Sequence, residues 1–136
     1  MAVARNIGNA CTGLKAGKWE RSNLIGVEVK GKTLAIIGLG KVGLTVARAA
    51  GGLGMYLVAY DPYANPALAA AANVEIVASM TELFAEADFL TIHTPLIAST
   101  KGMIGALELS SMKRTARILN VARVRTAILP NCPYFS

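Results

Sequence analysis

One stretch decides the fold, and it reads Thr33-Leu34-Ala35-Ile36-Ile37-Gly38-Leu39-Gly40-Lys41-Val42-Gly43. Its first part, residues 34–37, is a short apolar run with two β-branched residues, which is typical of a central strand covered on both faces. The three glycines that follow have the spacing G-x-G-x-x-G. In that pattern the first glycine makes a tight turn, the second lets a pyrophosphate approach the backbone, and the third lets helix and strand pack closely. The free N–H groups of the next helix would then hold the phosphates.

A second apolar run supports the same interpretation. Residues 56–60 follow one helix length later and lead directly into Asp61. An acid about 20 residues beyond the glycine turn is where a carboxylate that binds a ribose hydroxyl is expected. The glycine pattern alone is a weak signal. The order of elements is more specific, because a strand is followed by a glycine turn, a helix length, a second strand and an acid. This order predicts a dinucleotide-binding unit.

The composition bounds the class of protein. The chain has 136 residues, of which 54% are hydrophobic and 16% are charged. This length suits one domain, and the low charge content argues against disorder. The longest uncharged stretch is too short and too interrupted by proline to span a bilayer, and the first residues carry no sustained apolar run. We therefore expect neither a membrane span nor a secretory leader.

The charge and the cysteines exclude further classes. The formal net charge of +6 raises the question of nucleic acid, but the basic residues are scattered. The densest group, between Lys113 and Arg125, has no aromatic residue among it, so a solvated rim is favoured over a nucleic-acid surface. Cys11 and Cys132 have neither metal-type spacing nor a disulfide framework. The simplest interpretation is two reduced thiols in a cytoplasmic protein, with no metal site.

The elements predicted along the chain alternate between helices and strands. A helical arm over residues 1–21 has apolar side chains at helical spacing and ends near Gly17. Strands are predicted at 34–37, 55–60, 74–77, 89–92 and 117–121, and helices at 41–52, 66–72 and 79–87, with a helical turn within 99–109. Short connections in this order imply an α/β, Rossmann-type, doubly wound parallel sheet with helices on both faces.

Three details of packing are also predicted. The helix over 41–52 is expected to turn one apolar stripe toward the sheet, which consists of Val42, Val46, Ala49 and Leu53. Ser79 and Glu82 have the spacing of a capping box that opens the following helix. Trp19 either packs in the core or anchors a partner interface, where tryptophan is enriched, and the sequence leaves both alternatives open.

With these motifs in view, the chain resembles the cofactor-binding domain of the D-isomer-specific 2-hydroxyacid dehydrogenase family, nearest to its phosphoglycerate dehydrogenase branch. The resemblance runs from about Ala2 to Arg123, in six blocks that follow the family's order. The blocks are Ala4-Arg5-Asn6-Ile7, Gly17-Lys18-Trp19-Glu20-Arg21, Gly31-Lys32-Thr33-Leu34 with Gly38-Leu39-Gly40-Lys41-Val42-Gly43, Tyr60-Asp61-Pro62, His93-Thr94-Pro95-Leu96 with Thr100, and Ile118-Leu119-Asn120-Val121-Ala122-Arg123.

The resemblance implies NAD as cofactor and a role for each matched residue. The residues implied for cofactor binding are Gly38, Gly40, Lys41, Val42, Gly43, Asp61, Pro62, His93, Thr94, Pro95, Thr100, Val121 and Ala122. Asp61 matches the carboxylate on the adenosine ribose, which would repel a 2′-phosphate and favours NAD over NADP. Arg123 matches the catalytic arginine that grips the substrate carboxylate with its two-pronged guanidinium. His93 matches the family's cofactor-side histidine and not its acid/base histidine.

The sequence departs from the family at both ends. Met1 falls inside what resembles the long crossover helix, and no family block survives in residues 124–136. We therefore expect an NAD-binding domain over 1–123 and a divergent tail over 124–136. The family's acid/base histidine, its carboxylate partner and its substrate domain have no counterpart in the chain. The sheet is expected to be incomplete at its C-terminal edge, which stays uncovered unless the tail folds back over it.

Two functions follow from the resemblance. The first is a truncated NAD-dependent oxidoreductase that acts on a D-2-hydroxy acid, foremost 3-phosphoglycerate at the entry to serine biosynthesis, with little or no turnover alone. The second is a non-catalytic NAD-binding or dimerisation module, similar to the family's corepressors. A methyltransferase is disfavoured because residues 93–95 and 120–123 would have no role. The arm over 1–21 resembles the family's homodimer region, and no nucleic-acid or membrane partner is expected.

Overall fold

A computed structural model describes residues 1–123, in which a five-stranded sheet carries helices on both faces. The helices are α1 (Ile7–Lys15), α2 (Lys41–Gly52), α3 (Pro66–Ala71), α4 (Met80–Glu86) and α5 (Ala106–Ser111), with a single 3₁₀ turn at Arg21–Asn23. The strands are β1 (Thr33–Ile37), β2 (Tyr56–Tyr60), β3 (Glu75–Ile76), β4 (Phe89–Ile92) and β5 (Arg117–Asn120).

The strand order across the sheet is β3-β2-β1-β4-β5, and every neighbouring pair is parallel. The chain winds outward from β1 to β3 and then returns to β4 on the other side of β1. Right-handed crossovers place α2 and α3 on one face and α4 and α5 on the other. The predicted doubly wound α/β fold is therefore confirmed. In the described part of the chain the sheet ends at β5.

The central strand β1 supplies both halves of the core. Leu34 and Ile36 pack on the face that carries α2 and α3, while Ala35 and Ile37 pack on the face that carries α4 and α5. All four side chains are buried. This alternation follows from the two-residue period of a strand, and it explains why the run is apolar at every position.

The predicted inner face of α2 is right only for Val46, which is half-buried and packs against the core on that face. The buried residues of the helix are Gly43, Ala47 and Ala50, whereas Val42 is 62% exposed and Leu53 is 48% exposed. The helix lies so close to the sheet that only small side chains fit between them. The larger apolar residues therefore lie beside the contact and not in it.

Two helix starts differ in detail from the sequence prediction. At α4 the Ser79 hydroxyl accepts from the Glu82 N–H at 3.2 Å, but the Glu82 carboxylate accepts from the N–H of Ala78 and not from that of Ser79. The capping box is thus only half formed. The first helix begins at Ile7 because Asn6 adopts the left-handed conformation, with φ of 53°.

The N-terminal arm projects from the domain. Ala4 is buried and its carbonyl accepts from the Val27 N–H at 2.8 Å, but α1 contains no buried residue. Trp19 is 79% exposed, so core packing is excluded for it. The alternative, an anchor in a partner interface, stays a prediction.

Asp88 joins three strands at the edge of the sheet where they begin. Its carboxylate accepts from the Thr33 N–H at 2.9 Å and from the Lys113 ammonium at 3.1 Å, and its carbonyl accepts from the Arg117 N–H at 3.0 Å. Burial acts to raise the pKa of this carboxyl, but the bonds from Thr33 and Lys113 outweigh it, so the pKa lies below its ordinary value. The carboxylate is therefore the stable form in the folded chain.

Candidate functional site

The residues singled out in the sequence converge on the edge where the strands end. Gly38, Asp61, His93 and Val121 each directly follow a strand, namely β1, β2, β4 and β5. In a parallel sheet these carboxyl ends share one edge. The winding direction reverses between β1 and β4, and ligands of open α/β sheets bind in the crevice at such a reversal.

Gly38, the first glycine of the turn, lies at the base of this crevice between the ends of β2 and β4. Gly38 has φ of 89°, and its N–H donates to the carbonyl of Tyr60 at 3.1 Å. A Cβ at this position would lie 2.9 Å from the carbonyl oxygen of His93 and 2.9 Å from Cγ2 of Thr94. The turn therefore requires glycine for its conformation and for the close approach of the segment after β4.

The other two glycines differ sharply in their surroundings. A Cβ on Gly43 would overlap the carbonyl oxygen of Gly38, so α2 can approach β1 only without a side chain there. Among residues 1–123, no neighbouring atom lies within 4 Å of the place where a Cβ of Gly40 would stand. The space in front of Gly40 is open, as the approach of a pyrophosphate to the backbone requires.

The start of α2 faces the same space. Gly40 is the N-cap residue and offers no side-chain cap to the first N–H groups of this 12-residue helix. Those N–H groups and the positive end of the helix dipole form an anion-binding position. Lys41 and Val42, both exposed, stand at the first turn, and Lys41 adds a positive charge.

Asp61 holds the glycine turn as well as the end of β2. One carboxylate oxygen accepts from the Leu39 N–H at 2.8 Å, and the other accepts from the Tyr63 N–H at 2.8 Å. A carboxylate has about four acceptor positions, so two remain for the hydroxyls of a ligand. Pro62 follows at the exposed rim of the crevice.

His93 lies on the opposite side of the glycine turn. Its N–H donates to the carbonyl of Ile37 at 2.8 Å, and its Nε2 lies 3.0 Å from the hydroxyl of Thr91. Burial lowers the pKa of His93 below its ordinary value. The imidazole is therefore uncharged at neutral pH.

The two threonines of the segment after β4 have different surroundings. The Thr94 hydroxyl oxygen is the one buried side-chain nitrogen or oxygen without a hydrogen-bond partner among residues 1–123. A buried polar atom of this kind calls for a water or ligand partner. The Thr100 hydroxyl accepts from the Ile97 N–H at 2.9 Å and donates to the carbonyl of Pro95 at 2.6 Å, so it shapes the loop 95–100.

The segment after β5 forms a short turn that carries Arg123. The Asn120 side chain donates to the carbonyl of Arg123 at 2.9 Å and accepts from the Ala122 N–H at 3.2 Å. The Arg123 guanidinium donates to the carbonyl of Ala122 at 3.0 Å. Val121 and Arg123 are exposed at the mouth of the crevice.

The two polar ends of the crevice are well separated. Asp61 follows β2 and Arg123 follows β5, and β1 and β4 lie between these strands. Three strand spacings amount to about 14 Å. An elongated ligand with a hydroxylated sugar at one end and its reactive group at the other suits this separation better than a compact one does.

Three residues that contribute to the site were given no individual role from the sequence. The Leu39 amide had no signal, because its bond to Asp61 depends on the fold. Thr91 did have one, since it is the polar residue of an apolar strand and lies two positions before His93, on the same face. Asn120 had one as well, because asparagine after a strand is a common former of local turns.

Four features of the crevice suit a nucleotide with two phosphates. They are the open glycine turn, the uncapped start of α2, the half-buried carboxylate of Asp61, and the Thr94 hydroxyl that has no hydrogen-bond partner among residues 1–123. The fold and the crevice together define a dinucleotide-binding domain. Residues 1–127 match the family described as D-isomer specific 2-hydroxyacid dehydrogenase, NAD binding domain. The chain belongs to this family, and its cofactor class is NAD.

Individual relatives agree with this assignment. The sequence is 48% identical over 122 residues to D-3-phosphoglycerate dehydrogenase 3, chloroplastic, of Arabidopsis thaliana. The fold matches the apo-structure of D-lactate dehydrogenase from Escherichia coli with a TM-score of 0.87 and 30% identity. It also matches the NAD-complexed D-isomer specific 2-hydroxyacid dehydrogenase of Lactobacillus delbrueckii ssp. bulgaricus, with a TM-score of 0.81 and 32% identity.

The chain corresponds to only part of these proteins. The matches cover 90% of the chain but 21% of the Arabidopsis protein, and 94% of the chain but 40% of the Escherichia coli and 38% of the Lactobacillus structures. Within residues 1–123 no helix is long and apolar enough to cross a membrane. The same residues contain no group of three or more His, Cys, Asp or Glu side chains placed to hold a metal ion.

Proposed function

We propose that the crevice binds NAD in one orientation. The pyrophosphate lies against Gly40 and the start of α2, where backbone N–H groups and Lys41 meet open space. The adenosine ribose hydroxyls bind the remaining acceptor positions of Asp61, beside Pro62. The nicotinamide end reaches the turn at 121–123, and the segments that contain His93 and Thr100 border the ligand from the side of β4. The open space before Gly40 is the observation that carries this proposal.

A titration of the chain with NAD tests this placement. Gly40→Ala is the sharpest variant, because its Cβ meets no atom of the described residues but stands where the pyrophosphate is proposed to lie. We expect an unchanged circular dichroism spectrum and a loss of NAD affinity of at least tenfold, which corresponds to about 1.4 kcal/mol. Unchanged affinity in the folded variant would remove the pyrophosphate from this position. A lack of NAD binding by the unmutated chain would refute the proposed binding function.

The activity that this domain serves is, we propose, oxidation of a D-2-hydroxy acid with NAD, foremost 3-phosphoglycerate in serine biosynthesis. Support comes from the 48% identity to a relative named for that activity. Arg123, exposed at the mouth of the crevice, would bind the substrate carboxylate. Bound NAD would supply the hydride acceptor, and the residues of the crevice would position it against the substrate.

Catalysis also needs a group that takes the hydroxyl proton. His93 is the chain's only histidine, its Nε2 is engaged with Thr91, and its proposed role is on the cofactor side. We therefore expect no NADH production when the purified 136-residue chain meets NAD and 3-phosphoglycerate. Absorbance of NADH measures this. Turnover that survives His93→Gln but not Arg123→Ala would show that the chain has an acid/base group of its own.

A second candidate function is a non-catalytic module that dimerises on binding NAD. The observation that favours it is the projecting arm, whose helix α1 has no buried residue and whose Trp19 is exposed. Sedimentation with and without NAD separates the candidates, because a module of this kind gains dimer when NAD is added, whereas a constitutive dimer does not. The cytoplasmic location stays a prediction, which fractionation of cells would check.

A further inference from the structure

The His93 ring contacts a residue that lies outside the proposed ligand contacts. Thr91 is 4% exposed on β4, and its hydroxyl oxygen lies 3.0 Å from Nε2 of His93. That contact is the hydroxyl's hydrogen bond in the described part of the chain. Thr91 lies in β4 and His93 directly follows it. Because the two residues are two positions apart along extended backbone, their side chains point to the same face of the sheet.

The direction of this bond follows from donor and acceptor counts. A hydroxyl carries one proton, and a neutral imidazole has one donor and one acceptor nitrogen. If Nε2 carried the ring proton, the buried Thr91 hydroxyl would accept it and its own proton would lack an acceptor, at a cost of about 1–3 kcal/mol for a buried donor. If Thr91 donates to Nε2 instead, both groups are satisfied and the ring proton lies on Nδ1.

The other ring nitrogen is reachable by a ligand. Nδ1 of His93 has no hydrogen-bond partner among residues 1–123, yet the only buried side-chain polar atom without one is the Thr94 hydroxyl oxygen. Nδ1 is therefore in contact with solvent. His93 directly follows β4 at the edge of the sheet that forms the crevice, and its backbone carbonyl lies beside Gly38. Burial lowers the pKa of the ring, which keeps it uncharged.

We propose that Thr91 is a positioning residue that fixes His93 as the Nδ1–H tautomer, so that the ring offers an uncharged hydrogen-bond donor to a ribose or phosphate oxygen of the bound dinucleotide. The ligand part of this inference rests on the proposed function. The tautomer part does not, since the Thr91–His93 contact exists in the chain without ligand.

The single histidine makes the tautomer directly measurable. Long-range ¹H–¹⁵N spectra of the ¹⁵N-labelled chain at pH 8 should show a pyrrole-type Nδ1 and a pyridine-type Nε2. In Thr91→Val, which keeps the shape and removes the hydroxyl, the tautomer should shift toward Nε2–H. Thr91→Ser should restore Nδ1–H. The matched control is Thr33→Val, the same change at the opposite edge of the sheet, which should leave the spectrum unchanged.

NAD titrations then test the ligand contact. Thr91→Val should weaken NAD binding about 3- to 10-fold, the effect of one neutral hydrogen bond, while Thr91→Ser should not. NAD should also shift the Nδ1 resonance of the unmutated chain. Nε2–H or an even mixture in the unmutated chain, or an unchanged tautomer in folded Thr91→Val, would overturn the inference. NAD binding without a shift of the Nδ1 resonance would overturn the proposed contact between His93 and the ligand. If the chain bound no NAD at all, the proposed function would be contradicted, and the ¹⁵N spectra alone would then test the tautomer.

Discussion

Asp61 has a structural role besides the ribose contact that we propose for it. Its two oxygens already accept from the amides of Leu39 and Tyr63 before any ligand arrives. The bond to Leu39 fixes the middle of the glycine turn. The carboxylate therefore positions the same turn against which the pyrophosphate is proposed to lie. A residue chosen only for ribose recognition would not need that bond.

Replacing Asp61 should therefore reduce stability as well as affinity. Asp61→Ala leaves two amides without their acceptor, and we expect the free energy of unfolding to fall by about 1–3 kcal/mol. Asp61→Asn keeps one acceptor oxygen, so its free energy of unfolding should lie between those of the unmutated chain and Asp61→Ala. Urea unfolding measures the first effect and calorimetric titration with NAD the second. An Asp61→Ala chain with undiminished NAD affinity would mean that the carboxylate serves the turn alone.

At the scale of the element, α2 shows what a hydrophobic pattern omits. The stripe of larger apolar residues predicts the helix and its bounds, because periodicity records which positions are apolar. It does not record how closely the helix approaches the sheet. Gly43, Ala47 and Ala50 make that contact because they are small, and the position of the Gly38 carbonyl behind Gly43 is visible only in the fold.

The close approach of α2 gives a matched pair of glycine variants. Gly43→Ala must push the helix away from the backbone of the glycine turn, and we expect a loss of about 2–4 kcal/mol of unfolding free energy. Gly52→Ala, at the end of the same helix and with no described atom near its Cβ position, should leave stability unchanged or raise it by up to about 1 kcal/mol. Thermal unfolding of both variants measures the contrast, and equal melting temperatures would contradict it.

Contacts between elements also could not be predicted from the local sequence pattern. The alternation of helices and strands and the glycine turn predicted the sheet and the place of Asp61 directly after the second strand. The bond between Thr91 and His93 and the three-strand contact of Asp88 depend on which strands become neighbours. Local sequence does not specify that choice, so these contacts followed only from the structure.

Asp88 should make part of the stability depend on pH. Its pKa is lower in the folded chain than in the unfolded chain, where an aspartate titrates near about 3.9. The unfolded state therefore binds the proton more readily, and the contribution of this residue is fully present above that value and lost as pH falls below it. Asp88→Asn keeps an acceptor but not the charge. The difference in unfolding free energy between the two chains should be constant from about pH 5 to 8 and should shrink toward pH 3. A difference that grows on acidification would contradict this assignment.

For the whole molecule, the arm over residues 1–21 is the feature that the domain itself does not explain. The core of the described chain lies in two layers, one on each face of the sheet, and α1 adds no buried residue to either layer. The arm leaves Ile7, Leu14 and Trp19 in solvent, at 49%, 60% and 79% exposure. Several large apolar residues exposed on one projecting segment are typical of an interaction surface, whereas single exposed ones are ordinary.

A second copy of the chain is the partner we predict for this arm, with Trp19 as its anchor. Sedimentation velocity over a range of concentrations should show a dimer for the unmutated chain. Trp19→Ala should raise its dissociation constant at least about 30-fold, since anchoring tryptophans contribute about 2 kcal/mol or more. Tyr63→Ala is the matched control, because Tyr63 is 94% exposed but lies outside the arm, and its removal should leave the dimer intact. A chain that stays monomeric at every concentration, or a dimer that both variants weaken equally, would remove the arm from the interface.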